Sequence, residues 1–217
     1  MDWPLLADLP AEEVREVLQV ARRRHFSRNE VVFHRDDPGD SLHLIVKGRF
    51  AIRVMTPLGE TATIAIRGPG ESFGEMALVS DTARRSATVA ALEEAETFAV
   101  YRDEFERVRV RHPGVDQVLI HFLANEVRVQ NERLLEALYV PVERRVLRRL
   151  VELARVYPAA DGKSLIPLTQ EVLAELAGTS RATVNRVLND EARRGTVALE
   201  RGKTRVLDLE ALERRAR

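Results

Sequence analysis

The sequence predicts an α+β protein built from three consecutive segments, residues 1–113, 114–139 and 140–217. Three observations carry that prediction. Short β-branched runs punctuated by Gly and Pro fill residues 31–101, one long helix with a narrow apolar seam follows, and the last third reads helix, helix, helix, hairpin. With 217 residues and 45% apolar content the chain is long enough to bury such cores, and global disorder is excluded.

The first segment opens with a short helix. Pro10 stands at its first turn, Glu12 and Glu13 lie near its positive end, and Val14, Val17 and Leu18 share one face. Strand candidates follow at Val31–Phe33, Leu42–Val46, Phe50–Val54, Thr61–Ile66 and Thr97–Val100. Turn signals separate them at Asp37-Pro38-Gly39, Lys47-Gly48, Leu58-Gly59 and Gly68-Pro69-Gly70. Many short strands at this spacing predict a sandwich or barrel.

The second segment changes period. Ile120, Leu123, Val127, Gln130, Leu134 and Ala137 are spaced 3, 4, 3, 4 and 3 residues apart, the seam of a coiled coil. A helix with that seam, stopping before Pro141, calls for a second helix, most simply its own copy in a two-fold homodimer. Packing against its own domain alone is the other arrangement the pattern allows.

In the third segment, Arg145–Val156 is amphipathic and Arg-rich. Thr169 caps a helix running to Ala177, Gly178-Thr179 turns the chain, and Ser180 caps the next helix. Thr196–Leu209 alternates about an Arg201-Gly202-Lys203 turn, so the segment predicts a winged helix-turn-helix. On a wheel of about 100° per residue, Arg181, Ala182, Asn185 and Arg186 share one side, and Val184, Val187 and Leu188 share the other. Arginine can pair with guanine, Asn with adenine, and an Ala methyl can touch thymine. The Ser180 hydroxyl and the free N–H groups at the helix start suit a phosphate. Thr169, Thr183 and Lys203 complete the residues expected on double-stranded DNA.

The charges fit this division. The total is zero, 34 basic against 34 acidic residues, but residues 1–139 hold 18 and 23 (net −5) and residues 140–217 hold 16 and 11 (net +5). Only three basic residues are Lys, so a coding bias toward Arg also stays open as a source of the pattern.

The composition also excludes whole chemistries. With no Cys there are no disulfides, thiolate–zinc sites, iron–sulfur clusters or cysteine nucleophiles. His25, His34, His43, His112 and His121 show no close pair, which argues against haem or another metal. Ser86 and Ser180 have no His or acid at triad spacing, so an enzyme is not expected. The acidic start Met1-Asp2-Trp3-Pro4 and the lack of any apolar run near ~18 residues predict a cytoplasmic protein with no membrane partner.

One further constellation stands out: Phe73-Gly74-Glu75-Met76-Ala77-Leu78, then Arg85-Ser86-Ala87-Thr88-Val89. Glycine lets backbone approach a ligand, a carboxylate accepts from hydroxyls, and Arg with Ser can grip a phosphate. Taken alone, these residues also suit a turn with a surface salt bridge. Gly68-Pro69-Gly70 is no dinucleotide fingerprint, because no helix follows it.

Gly-Glu-x-x-Leu, six residues, then Arg-Ser-Ala-x-Val resembles the phosphate-binding cassette of cyclic-nucleotide-binding β-rolls. Glycines 39, 48, 59, 70 and 74 fall where that roll turns. With the long helix and winged module in the right order, residues 5–212 resemble the CRP/FNR family of bacterial transcription regulators. The resemblance implies an N-terminal double-stranded β-helix, a long dimerisation helix and a C-terminal winged helix-turn-helix. It also implies a cyclic nucleotide, cAMP or a relative, as effector, with palindromic DNA, RNA polymerase and a second copy as partners. Such a protein would be nucleoid-associated when bound to DNA.

Carried onto this chain, the resemblance gives Glu75 the ribose hydroxyl, with the backbone of Gly74, Met76 and Ala77 shaping the pocket. Arg85 and Ser86 would grip the cyclic phosphate, helped by N–H groups around Ala87, and Gln130 and Asn131 would face the purine. Two positions depart. Gln130 replaces a frequent Thr, and Glu126 stands where the family carries an Arg that pairs with the ribose-binding carboxylate, leaving Arg128 as a substitute. In the recognition helix Arg181 and Arg186 match, but a frequent Glu between them is Ala182. Half-sites looser than the usual TGTGA type, ~34 Å apart, are expected. An effector-independent regulator, a sensor of another ligand, and a cyclic-nucleotide module acting through protein contacts are the alternatives.

Overall fold

The computed structural model describes residues 3–6, 9–56, 59–79, 84–112, 114–159 and 163–217. Met1-Asp2 of the opening, Leu58 of one turn signal and the boundary residue 113 lie outside the described residues. The chain forms two compact units: residues up to Thr61 together with Ala65–Val129, and Ala62–Ile64 together with Gln130–Arg217.

In the first unit helix α1 (Ala11–Val20) follows Pro10, which occupies the N-cap rather than the first helical position. Val17 is buried, with Val14 and Leu18 packed beside it, so the expected face is the one that packs. The strands are β1 (Arg22–Phe26), β2 (Val31–Phe33), β3 (Ser41–Lys47), β4 (Phe50–Met55), β5 (Thr61–Arg67), β6 (Ser72–Phe73), β7 (Thr88–Ala91) and β8 (Ala95–Tyr101). They form two four-stranded sheets, ordered β1-β8-β3-β6 and β2-β7-β4-β5, with antiparallel pairing. Phe26, Ile45, Phe50, Phe73 and Val89 fill the space between them.

Two elements of this unit escape sequence periodicity. Strand β1 reads Arg22-Arg23-Arg24-His25-Phe26 and buries only its last residue. It forms because it is an edge strand whose pairing with β8 brings Arg23 2.6 Å from Glu96. Charged side chains on an edge also discourage pairing with a foreign strand. Helix α2 (Arg102–Arg111) has three apolar residues, of which Phe105 and Val108, three residues apart, are buried and Val110 is exposed.

Helix α3 (Gly114–Tyr139) stops two residues before Pro141, as expected from proline's effect on the residue before it. Val115, Val118 and Leu119 join a core with Trp3, Leu44 and Phe105. Beyond them the seam opens to water: Ile120, Val127 and Leu134 are each more than half exposed. Leu123 is partly buried, whereas Gln130, Asn131 and Ala137 are exposed.

In the second unit α4 (Val142–Val156), β9 (Leu165–Ile166), α5 (Gln170–Ala177), α6 (Arg181–Arg193), β10 (Val197–Glu200), β11 (Lys203–Val206) and α7 (Leu209–Ala216) follow. The expected hairpin is β10–β11, and β9 extends it to three strands in the order β10-β11-β9. Helix α7, unforeseen from the alternation before it, starts where the Asp208 carboxylate accepts from the Ala211 N–H at 2.9 Å.

Candidate ligand cassette and nucleic-acid interface

The cassette is built by one glycine and one buried cation. Gly74 has φ +86°, and a Cβ there would lie 2.7 Å from Arg85 Nη1 and 2.9 Å from the Ser41 carbonyl. Only glycine accepts that backbone at no steric penalty. The chain then enters a short 3₁₀ turn, Glu75–Leu78, in which Ala77 and Leu78 are buried and Met76 is largely exposed.

Arg85 is 5% exposed. Its Nη1 donates to the Ser41 carbonyl at 2.7 Å, and its Nη2 donates to Asp40 Oδ1 at 2.9 Å and Ser41 Oγ at 3.0 Å. The guanidinium lies 3.9 Å from the Phe33 ring centroid. Burial lowers its pKa from the usual arginine value, and the Asp40 carboxylate opposes that shift. Its Nε is buried without a hydrogen-bond partner. A buried orphan donor on a cation fits an anionic oxygen such as a phosphate provides. Ser86 is exposed beside it and Ala87 is buried.

Glu75 has a raised pKa. Burial is the main cause, the charge of Glu126 adds to it, and the Glu75 backbone, Arg67 and Arg85 oppose it. The repulsion expected from Glu126 is therefore present, and a counter-charge faces it. Arg67 supplies it, lying 3.0 Å from Glu126 and 2.9 Å from Glu71. Burial works to lower the Arg67 pKa, but Glu126, Glu71 and Glu75 overrule it and the net shift is upward.

Behind Arg85 lies His43, almost fully buried and stacked on Phe73 at 4.9 Å with a 6° interplanar angle. Its ring nitrogens meet Ser41 Oγ at 3.4 Å and Thr97 Oγ1 at 3.0 Å. Burial first, then the charges of Arg85 and Arg24, push its pKa down to about 3 against the opposing charge of Asp40. Asp40, Ser41 and Arg67 carry no signal in the sequence, and His43 enters there only as one of five histidines without a close pair. Nothing in their spacing marks them, because tertiary packing brings them to Arg85 and Glu126 from distant positions in the chain. Gln130 and Asn131 belong to the second unit.

In the second unit the helix-turn-helix is capped as its sequence predicts. Thr169 Oγ1 accepts from the Val172 N–H at 3.4 Å, and Ser180 Oγ accepts from the Thr183 N–H at 3.2 Å. Gly178 holds the turn with φ +60° and bonds back to the end of α5. Val184, Val187 and Leu188 are buried, while Arg181, Ala182, Asn185 and Arg186 are exposed. The wheel therefore predicts the packing of α6 correctly. A groove of about 490 Å³ runs past Thr169, Gln170, Arg181, Asn185, Arg201 and Lys203. The exposed side chains of this face are partly pre-ordered. Asn185 donates to Gln170 Oε1 at 3.1 Å, Asn189 donates to Asn185 Oδ1 at 3.0 Å, and Arg186 Nη2 lies 2.7 Å from Glu143 Oε1.

The far end of α6 is anchored by a buried carboxylate. Glu191 accepts from Thr196 Oγ1 at 2.8 Å and from Arg215 Nε of α7 at 3.0 Å. Among the described residues no group of three or more His, Cys, Asp or Glu is placed to hold a metal ion. No helix among them is long and apolar enough to cross a membrane.

Comparison with known proteins matches residues 23–112 to the cyclic nucleotide-binding domain and residues 144–215 to the Crp-like helix-turn-helix domain. A Mycobacterium tuberculosis protein named CRP-like cAMP-activated global transcriptional regulator is 33% identical over 195 residues, covering 88% of this chain and 87% of its own. The cyclic AMP receptor protein of Thermus thermophilus is 35% identical over 213 residues, covering 97% and 95%. The solved structure of the Thermus thermophilus catabolite activator protein, 34% identical, covers 98% of both chains with a TM-score of 0.57.

Proposed function

Because this chain belongs to the CRP/FNR family of transcription regulators, we propose that it is a homodimeric, sequence-specific DNA-binding regulator gated by a cyclic nucleotide, cAMP in the first instance. The observation that carries the proposal is the glycine–arginine cassette: Gly74 in the left-handed region beside a buried Arg85 whose Nε has no partner. The two cAMP-named relatives support the choice of nucleotide.

In this reading Arg85 and Ser86 hold the cyclic phosphate with N–H groups near Ala87. Glu75 accepts from the ribose hydroxyl, with Gly74, Met76 and Ala77 forming the wall, and Gln130 and Asn131 offer amides to the purine. The ligand favours one arrangement of the paired α3 helices, and that differential affinity is the switch. The exposed seam of Ile120, Val127 and Leu134 supports the pairing. Arg181, Asn185 and Arg186 read bases, Ala182 contacts a thymine methyl, and Thr169, Ser180, Thr183 and Lys203 meet phosphates. RNA polymerase is the downstream partner, in the bacterial cytoplasm.

Calorimetric titration with cAMP and cGMP, followed by DNA binding with and without each, tests the gating. Heat of binding together with tighter DNA binding is expected. No heat and unchanged DNA affinity would sink the gating and leave the DNA reading standing. A second reading is favoured by Asp40 and Ser41, which already engage both Nη groups of Arg85 from within the chain. It is a regulator that needs no effector, or one other than a cyclic nucleotide. Arg85→Ala separates the two: a gated protein loses its ligand response, whereas an ungated one keeps its DNA affinity.

A further inference from the structure

The start of α4 carries side chains that reach beyond their own helix. Arg145 donates to the carbonyls of Ala137 and Val140 at the end of α3, at 3.0 and 3.4 Å, and to those of Ala177 and Gly178 at the end of α5, both at 3.1 Å. Helix ends leave such carbonyls without internal partners, so one guanidinium ties both ends to α4. One turn on, buried Arg149 pairs with Glu136 of α3 at 2.5 Å. The first turn of α4 is thereby fixed against the helix-turn-helix.

On that fixed turn Glu143 points its carboxylate at Arg186 of α6, 2.7 Å away. The hydrogen bond from Arg186 holds Glu143 below the usual carboxylate range, assisted by backbone N–H at the helix start. Asp190, the other acid acting on Arg186, is itself paired with Arg193. Arg181 has no ion-pair partner among the described residues.

We propose that Glu143 is a positioning and specificity-determining residue, aiming the Arg186 guanidinium before DNA arrives. The proposal rests on the reading of Arg186 as a base-contacting arginine. A guanidinium carries five N–H donors, so one given to Glu143 leaves enough for a bidentate contact to guanine O6 and N7.

Two effects of opposite sign follow. The carboxylate repels the phosphate backbone, so its removal strengthens binding to DNA of any sequence. Its removal also frees the Arg186 rotamers, which binding must then freeze, and this weakens the specific contact by about 2- to 10-fold.

The test uses the full-length chain, with and without cAMP. Double-stranded DNA is selected from a random library by the wild type, Arg181→Ala, Arg186→Ala and Glu143→Gln. The best duplex, its single-pair variants and a scrambled duplex are then titrated by fluorescence anisotropy. Glu143→Gln, isosteric at a half-exposed position, is checked for an unchanged melting curve. Discrimination should fall about 2- to 10-fold at the pair that Arg186→Ala loosens, stay unchanged at the pair that Arg181→Ala loosens, and accompany tighter binding of the scrambled duplex. Unchanged discrimination, or an equal change at every pair, overturns the role of Glu143 while base reading by Arg186 stands. If Arg186→Ala alters no pair, the base-reading premise fails and the proposal with it.

Discussion

Arg85 and His43 show how much of the cassette is set by neighbours distant in sequence. Arg85, Gly74 and Glu75 were legible because their residue types and spacing form a pattern. Asp40, Ser41 and Arg67 were not, since Asp40 meets Arg85 45 positions away and Arg67 meets Glu126 59 positions away. A lone His between Leu42 and Leu44 gave no sign that it would sit neutral behind the cassette. With its pKa depressed from 6.5 to about 3 in the fold, His43 is protonated in the unfolded chain before it is in the native one. Its contribution is therefore present above about pH 6.5 and is lost as pH falls toward about 3, at about 1.4 kcal/mol per pH unit. Denaturant unfolding at pH 6.5 and 5.0 should show about 2 kcal/mol more loss in the wild type than in His43→Phe. Equal losses would mean that His43 accepts a proton without unfolding.

At the scale of elements, periodicity succeeded where one face is buried and failed where charge decides. Helices α4, α5 and α6 were read from apolar stripes, and the caps at Thr169 and Ser180 were placed correctly. Edge strand β1 escapes the sequence pattern because three consecutive arginines carry no alternation; its partners are Glu96 on β8 and Glu104 on α2. Helix α2 was missed because Phe105 and Val108 are its only buried residues. For α3 the seam is visible in the sequence, but the point where its contacts with its own core end, after Leu123, is not. In the proposed dimer Leu134→Glu places two carboxylates across the seam. Light scattering at micromolar concentration should then report the mass of one chain, and binding to a two-half-site duplex should weaken at least 100-fold, as two linked contacts become one. A variant that stays at its wild-type mass would show that α3 is not the pairing surface.

For the whole molecule, a total charge of zero describes neither half. The surplus of acid in residues 1–139 and of base in residues 140–217 would concentrate phosphate attraction in the last segment of the proposed DNA-binding regulator. A dimer contacting six or so phosphates should lose roughly 10³-fold in DNA affinity between 50 and 200 mM salt. In the proposed cAMP complex the same salt range should change ligand affinity far less, because a single phosphate would meet the buried Arg85. A flat salt response of DNA binding would show that the basic surface does not face the backbone. The order of the two modules was legible in the chain. The division of contacts inside α3, between Val129 and Gln130, was not, because the helical pattern runs through it unbroken.

The open stripe on α3 also makes the amount of the protein a variable in its own behaviour. Any association that covers Ile120, Val127 and Leu134 ties apparent stability to protein concentration by mass action, so the melting temperature rises as more chain is present. At low dosage the same stripe would lie bare to proteases and to unrelated apolar surfaces. Lifetime and abundance would then reinforce each other, a threshold set by one helix face rather than by the effector.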